Sequence, residues 1–140
     1  MKKLLLLASA LALLSCSEQR TDALMTEPAG SAHYYINNQS STEITVIFVT
    51  SAALNFETDS SAVPGDSSKV IFRDGGIGIN PKPSDSFSNL KFFRETKRNS
   101  PVIVIDSIRN EAWKVIHSEM DDSGYGLTEY ELTISDQGLE

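Results

Sequence analysis

The chain has 140 residues, and its 12 lysines and arginines against 19 aspartates and glutamates give a formal charge of −7 at pH 7. A chain this acidic is repelled by a phosphate backbone, which argues against a nucleic acid as partner. Its single cysteine excludes an internal disulfide, so a domain of this length depends on a packed core for its stability.

The first segment of the chain has the pattern of a secretion signal. Lys2 and Lys3 supply positive charge, and a mostly apolar run follows from Leu4 to Leu14. That run is shorter than the roughly 20 residues that a membrane-spanning helix needs. The pattern therefore predicts a cleaved signal peptide over residues 1–15.

The residues Leu13-Leu14-Ser15-Cys16 resemble the lipobox of bacterial lipoproteins. The resemblance implies cleavage before Cys16, diacylglycerol on its sulfur and a stable anchor of several acyl chains. Ser17 stands where an aspartate tends to mark inner-membrane retention in Gram-negative lipoproteins, so the resemblance further implies the outer membrane, on either of its faces. The mature chain would hold ten basic and nineteen acidic residues, a formal charge of −9.

Residues 16–32 differ from the rest of the chain because they are polar and interrupted by Pro28 and Gly30. This composition predicts a flexible tether rather than a packed element. As a random coil, a segment of this length spans about 20 to 25 Å, which would hold a domain clear of the headgroups.

From His33 onward, short runs rich in Val, Ile, Phe and Tyr alternate with clusters of Gly, Pro, Asn, Asp and Ser. This pattern predicts one all-β domain over residues 33–140, a single antiparallel β-sandwich of about seven or eight strands, similar to immunoglobulin-like or transthyretin-like folds. The predicted strands are Tyr34–Ile36, Glu43–Thr50, Leu54–Glu57, Lys69–Arg73, Leu90–Arg94, Val102–Ile105, Trp113–His117 and Thr128–Ser135.

The burial of three strands can be predicted from their composition. Ile47 and Val49 add apolar residues to the second face of their strand, and Val102–Ile105 is a run of β-branched residues. Both patterns favour central strands that are covered on two sides. In the last strand, alternate residues are expected to point inward, namely Tyr130, Leu132 and Ile134.

The connections carry turn residues. Val63–Asp66 predicts a type II turn in which Gly65 takes the positive φ. Residues 74–83 are rich in glycine and proline and predict a structureless connection. Ser84 is expected to cap a short helical turn over Asp85–Asn89.

No motif in the chain predicts catalysis or a metal site. Gly65-Asp66-Ser67 is followed by Ser68, where the esterase block of this type requires leucine. His33 and His117 are far apart in sequence, and Asp121-Asp122-Ser123-Gly124 lacks the alternating acids and the closing glutamate of a calcium loop. We therefore expect no enzyme, no cofactor and no metal ion.

One basic cluster surrounds the aromatic pair Phe92 and Phe93 in this acidic chain. Because cations attract carboxylates and rings stack on sugars, the cluster is a candidate contact surface for an anionic glycan or a peptidoglycan carboxylate. The preferred interpretation is an ordinary solvated hairpin surface, because exposed charges are screened and individually weak. The candidate contact residues are Lys91, Arg94, Lys97, Arg98 and Trp113.

Aromatic residues offer a second candidate surface. Exposed coplanar rings would favour a sugar-binding platform, whereas buried rings would favour core packing. The rings in question are Tyr34, Tyr35, Trp113, Tyr125 and Tyr130.

Asp106-Ser107-Ile108 resembles the acceptor for O-linked glycans in some Gram-negative lineages, an aspartate followed by a hydroxyl residue and an apolar one. The resemblance implies Ser107 as the attachment site. A chance occurrence of this short motif is the alternative.

More widely, the Tyr- and Asn-rich first strand, the Pro-Gly-Asp turn, the segment Asp106–Trp113 and the closing Tyr130–Ile134 resemble small outer-membrane lipoproteins of Gram-negative bacteria. The resemblance implies a location and no activity. We expect a membrane-anchored envelope lipoprotein with a non-enzymatic structural or protein-interaction role. Its partners would be the membrane, through Cys16, and an envelope protein or glycan; the alternative is a carbohydrate-binding accessory module.

Overall fold

The computed structural model describes residues 27–139, which fold as a β-sandwich. These residues form eight strands in two four-stranded sheets, so the prediction of an all-β sandwich is confirmed. The predicted signal peptide, Cys16 and most of the predicted tether lie outside the described residues. The strands are β1 (Ala29–Asn38), β2 (Ile44–Thr50), β3 (Thr58–Val63), β4 (Ser67–Ile77), β5 (Phe87–Arg94), β6 (Ile103–Ile105), β7 (Lys114–Met120) and β8 (Gly126–Ile134).

Sheet A has the strand order β4-β1-β8-β7, and sheet B has the order β3-β2-β5-β6. Within residues 27–139, β1 and β8 pair in parallel, and the other neighbouring strands pair antiparallel. The purely antiparallel sandwich that the sequence predicted is therefore wrong at this pair. Parallel strands need a long connection between them, and nearly the whole domain connects β1 to β8.

The core lies between the two sheets and is formed by alternate residues of their central strands. The alternation predicted for the last strand is confirmed, because Leu132 and Ile134 are buried and Tyr130 packs against the core while still partly exposed. The buried apolar side chains of the other central strands are Ala32, Tyr34 and Ile36 of β1, Ile44, Val46 and Phe48 of β2, and Phe87, Leu90 and Phe92 of β5.

β1 begins at Ala29, inside the segment that the sequence predicted as tether. Gly30 is buried, and its N–H donates to the carbonyl of Ile79 at 3.0 Å. A Cβ at position 30 would lie 2.3 Å from that oxygen, so only glycine allows the two backbones to approach. The glycine that suggested a tether thus starts the domain.

The sequence patterns did not predict β3, and they predicted β4 shorter than it is. The predicted edge strand Leu54–Glu57 is wrong, because a 3-10 turn (Ala52–Leu54) and the hydrogen-bonded turn that follows it precede β3. β3 is an edge strand with mostly polar, exposed residues, so it has no apolar alternation. β4 continues to Ile77 through Gly75 and Gly76, where backbone pairing with β1 needs no side chains.

The turn between β3 and β4 has a different geometry from the predicted type II turn. Asp66 has the positive φ of 52°, and Gly65 does not. A Cβ at position 65 would lie 2.6 Å from the carbonyl carbon of Ser41. Gly65 is therefore needed for close packing rather than for its backbone angle.

Two further predictions about position were wrong. β6 is a short strand at the edge of sheet B, and Val104 is 46% exposed, although its β-branched composition suggested a central strand. β-branched residues favour strands in general and do not specify which strand is central. The predicted helical turn over Asp85–Asn89 with Ser84 as its cap is also wrong. The turn is α1 (Pro83–Ser86), its N-cap is Lys82, and the carboxylate of Asp85 accepts the N–H of Lys82 at 2.9 Å.

Polar groups are also buried near the end of β1, which we call the Asn38 end of the sandwich. The side-chain amide of Asn38 donates to the carbonyls of Thr42, Val63 and Pro64 at 2.8 to 3.1 Å. Its Oδ1 accepts the hydroxyl of Ser40 at 2.7 Å. One buried amide therefore joins the β1–β2 and β3–β4 connections.

In residues 27–139, no helix is long and apolar enough to cross a membrane.

Candidate functional site

The outward side of sheet B carries an unusual set of side chains. Thr45 pairs with Phe93 across β2 and β5, Ile47 pairs with Lys91, and Lys91 pairs with Val104 of β6. Directly paired residues point to the same side of a sheet, and the residues that alternate with them are in the core. We call the surface of these five residues the outer face of sheet B.

The outer face of sheet B carries three apolar side chains around Lys91, because Lys91 pairs with both Ile47 and Val104 and Phe93 lies two residues along the same strand. Antiparallel sheets that face water usually carry polar residues on that side. Here Ile47 and Phe93 are half-buried and Val104 is exposed. No other layer of the described residues covers this face, although the sequence predicted that β2 would be covered on both sides. A shallow groove of about 300 Å³ lies between Thr45, Ile47, Phe93 and Arg98.

Two of the four basic residues singled out in the sequence lie at this surface. Lys91 is exposed within it, and Arg98 lines the groove, whereas Lys97 is exposed in the 3-10 turn after β5 and is not among the lining residues. Arg98 is paired with Glu95 at 2.9 Å. Arg94 does not join them, because a residue three positions after Lys91 points to the opposite side of the strand.

Arg94 pairs with the buried Ile44, and its guanidinium lies 3.6 Å from the carboxylate of Asp136. The predicted basic cluster is thus divided between the two sides of sheet B. The sequence showed the four cations as neighbours, whereas the period of two along a strand separates them.

Trp113, the fifth predicted contact residue, lies in the core. It is 6% exposed, and its ring is stacked on Phe87 with 5.8 Å between centroids and meets Tyr34 edge-on at 5.8 Å. Phe87 begins β5 and Arg94 ends it, which separates them by about 23 Å along the strand. The prediction that Trp113 joins the basic surface is therefore wrong, because burial of its large ring stabilises the core.

The aromatic residues do not form one platform. Tyr34 and Trp113 are buried, while Tyr35, Tyr125 and Tyr130 are half-buried. The ring of Tyr130 stacks on that of Tyr34 at 5.6 Å, within the inner layer. Tyr35 points to the other side of sheet A, because it follows Tyr34 along β1.

Ser107 is exposed in the bend that follows β6. It lines a groove of about 300 Å³ together with Arg109, Trp113 and Leu132. Its hydroxyl is on the surface, as an attachment site requires, and its modification stays a prediction.

The outer side of sheet A brings together two histidines that the sequence treated as unrelated. His33 of β1 and His117 of β7 both pair with Glu129 of β8. The carboxylate of Glu129 accepts the hydroxyl of Tyr35 at 3.0 Å and lies 3.2 Å from Nδ1 of His33. Partial burial acts to raise the pKa of Glu129, but these contacts and the nearby His117 outweigh it and hold the pKa below its usual value.

We call His33, Glu129 and His117 the histidine row, and it is not a preformed metal site. Within residues 27–139 there is no group of three or more His, Cys, Asp or Glu side chains that could hold a metal ion. The sequence alone could not show that these three residues are neighbours. β1 and β7 lie on opposite sides of β8, so the proximity of His33 and His117 to Glu129 follows only from the strand register.

The chain matches no protein-family model and no curated protein.

Proposed function

We propose that the chain is a lipoprotein held in the bacterial outer membrane by acylated Cys16, and that its sandwich binds another envelope protein without catalysis. The lipobox resemblance of Leu13-Leu14-Ser15-Cys16, after an n-region with Lys2 and Lys3, supports the anchor. The outer face of sheet B supports the binding role.

One observation carries the binding role: Ile47, Phe93 and Val104 point outward from the same sheet. Covering such a patch is favourable, and contiguous exposed apolar surface commonly marks a protein contact. Lys91 lies between Ile47 and Val104, and Arg98 lines the groove with Phe93, in an otherwise acidic protein. Charge complementarity therefore favours a partner with an apolar projection flanked by carboxylates.

The alternative, a carbohydrate-binding module, requires accessible ring faces. Three of its five candidate rings, those of Tyr34, Trp113 and Tyr130, pack against other aromatic rings. The hydroxyl of Tyr35 donates to Glu129. The observed ring positions favour a protein partner over a sugar platform.

A photo-crosslinking experiment tests the binding role in the full-length chain within its native membranes. A photoreactive amino acid replaces Phe93 in one variant and Thr133 in the control, because Thr133 is exposed on the outer side of sheet A. We expect a covalent adduct with a second protein from position 93 and none from position 133. Equal adducts at the two positions, or none at either, would contradict the proposal.

Charge-reversal variants test whether the partner contacts the cation on this face. Lys91→Glu should reduce the adduct from position 93, whereas Lys114→Glu should not, because Lys114 is exposed on β7 in sheet A. An adduct with the mass of two copies of this chain would contradict the proposal of a second protein and would indicate self-association instead. Thermal unfolding of each variant checks that the fold is kept.

A further inference from the structure

We propose that one end of the sandwich contacts the lipid surface directly, through Phe56, Ile77 and Ile79. This inference rests on the proposed acylation of Cys16. The three side chains are 59%, 67% and 51% exposed. They lie near the first described residues of the chain, and we call this region the Pro28 end.

Backbone hydrogen bonds connect the end of β4 and the loop after it, which carry Ile77 and Ile79, to the start of the domain. The N–H of Gly78 donates to the carbonyl of Pro28 at 2.7 Å, and Ala29 pairs with Ile77. The chain that leads back to Cys16 therefore begins beside Ile77 and Ile79.

The length of that chain favours the same end of the sandwich. Ten residues lie between Cys16 and Glu27, and the eleven steps from one to the other span at most about 40 Å when fully extended. β1 has ten residues, so it runs about 33 Å from the Pro28 end to the Asn38 end. Contact through the Asn38 end would need the connecting chain to run almost fully extended along the domain.

Phe56 belongs to the same region and has a strained backbone. The 3-10 turn before it contributes Ala53 and Leu54 to a groove of about 440 Å³ that Ile79 also lines. Phe56 has a φ of 55°, which is uncommon for a bulky residue. The fold thus holds an exposed aromatic ring in an unfavourable conformation, as functional positions often do.

The turn residues at the Asn38 end provide a contrast, because they are polar. Gln39, Ser41, Thr42, Glu43 and Asp66 are exposed there. Exposed apolar side chains gain free energy when they enter the boundary between headgroups and acyl chains, and polar ones do not. The difference between the two ends favours the Pro28 end as the membrane contact.

Charge defines the kind of lipid. Glu27, Asp74 and Asp85 lie at the Pro28 end, with Lys82 as a nearby cation. Anionic headgroups would repel this surface. The proposed occupant is therefore a zwitterionic lipid surface, such as phosphatidylcholine or phosphatidylethanolamine.

Depth-dependent quenching tests the inference in the intact acylated protein. Cys16 is the only cysteine and has no free thiol once acylated, so an introduced cysteine can be labelled alone. Ile79→Cys and Phe56→Cys each receive a fluorophore, with Asn99→Cys as the control in the exposed loop after β5. The proteins are incorporated into phosphatidylcholine vesicles that contain spin-labelled lipid.

We expect several-fold stronger quenching at positions 79 and 56 than at position 99, and less quenching at 79 after phosphatidylglycerol is added at low salt. Vesicle flotation is measured on the same samples. Flotation with equally weak quenching at all three positions would overturn the lipid contact and leave the anchor intact. Failure of the mature wild-type chain to float would overturn both proposals.

Discussion

The N–H of Gly78 donates to the carbonyl of Pro28, so the loop after β4 is fastened to the point where the described chain begins. This contact places the exposed Ile77 and Ile79 beside Pro28 and Ala29, at the start of the described residues. The outer face of sheet B is a side of that sheet and the Pro28 end is an end of the sandwich, so the proposed protein contact and the proposed lipid contact lie on different parts of the domain.

Substitution of Gly30 should release this loop. In Gly30→Ala, the new Cβ would lie 2.3 Å from the carbonyl oxygen of Ile79, so one backbone has to move. We expect a loss of about 1 to 3 kcal/mol in the free energy of unfolding, measured by urea denaturation. Gly75→Ala is the matched control on the paired strand, because its Cβ would have ordinary contacts of 3.4 Å or more. Equal stabilities of the two variants would contradict this account of Gly30.

Asn38 should be one of the most sensitive polar positions. Asn38→Ala removes an amide that donates to three carbonyls, and it leaves buried backbone groups without partners. We expect a loss of about 2 to 3 kcal/mol in the free energy of unfolding. Asn37→Ala is the control on the outward side of the same strand, where one hydrogen bond to Glu131 is lost. Its cost should be clearly smaller, and a reversed order would refute the role of the buried amide.

Glu129 should make stability depend on pH. Its pKa is lower in the folded protein than the usual value of 4.5, so its contribution is present above that value and is lost as the pH falls through the folded pKa. Glu129→Gln should cost about 1 kcal/mol at neutral pH, because the side chain is partly exposed, and almost nothing well below that pKa. His33, Tyr35 and His117 face this carboxylate.

Denaturation of wild type and Glu129→Gln across the acidic range measures this difference. Glu57→Gln is the control, because Glu57 is an exposed glutamate outside the histidine row. A difference between wild type and Glu129→Gln that stays constant or grows on acidification would contradict the assigned direction of the pKa shift.

Trp113 reports on the core because it is the only tryptophan. Since it is 6% exposed and stacked on Phe87, acrylamide should quench its fluorescence weakly in the native protein and strongly after unfolding in urea. Soluble glycans should not shift its emission. Strong quenching of the native protein, together with a glycan-dependent shift, would favour the carbohydrate-binding alternative.

Much of the fold could be predicted where the residues alternate along a strand. The alternation of Ile44, Val46 and Phe48 predicted the buried face of β2, and Leu132 and Ile134 did the same for β8. β3 was missed because a polar edge strand can be held by backbone pairing alone. The same reason explains why the end of β4 was missed.

The candidate site could be predicted only in part, because it depends on how strands align. Phe93 and Lys91 were identified in the sequence, but Thr45, Ile47 and Val104 join them only through the register of β2, β5 and β6. The row of His33, Glu129 and His117 likewise depends on the parallel pairing of the first and last strands. Sequence patterns predict the side on which a residue lies within its strand, and they do not predict its neighbours across strands.

Acylation of Cys16 is the central claim, and one comparison tests it most directly. Wild type and Cys16→Ser are expressed as full-length chains in a Gram-negative host with labelled palmitate, and the envelope is then fractionated. We expect the mature wild type to carry the label and to sediment with the outer membrane, whereas Cys16→Ser carries no label and leaves that fraction. Equal fractionation and processing of the two chains, with no label on either, would contradict the account.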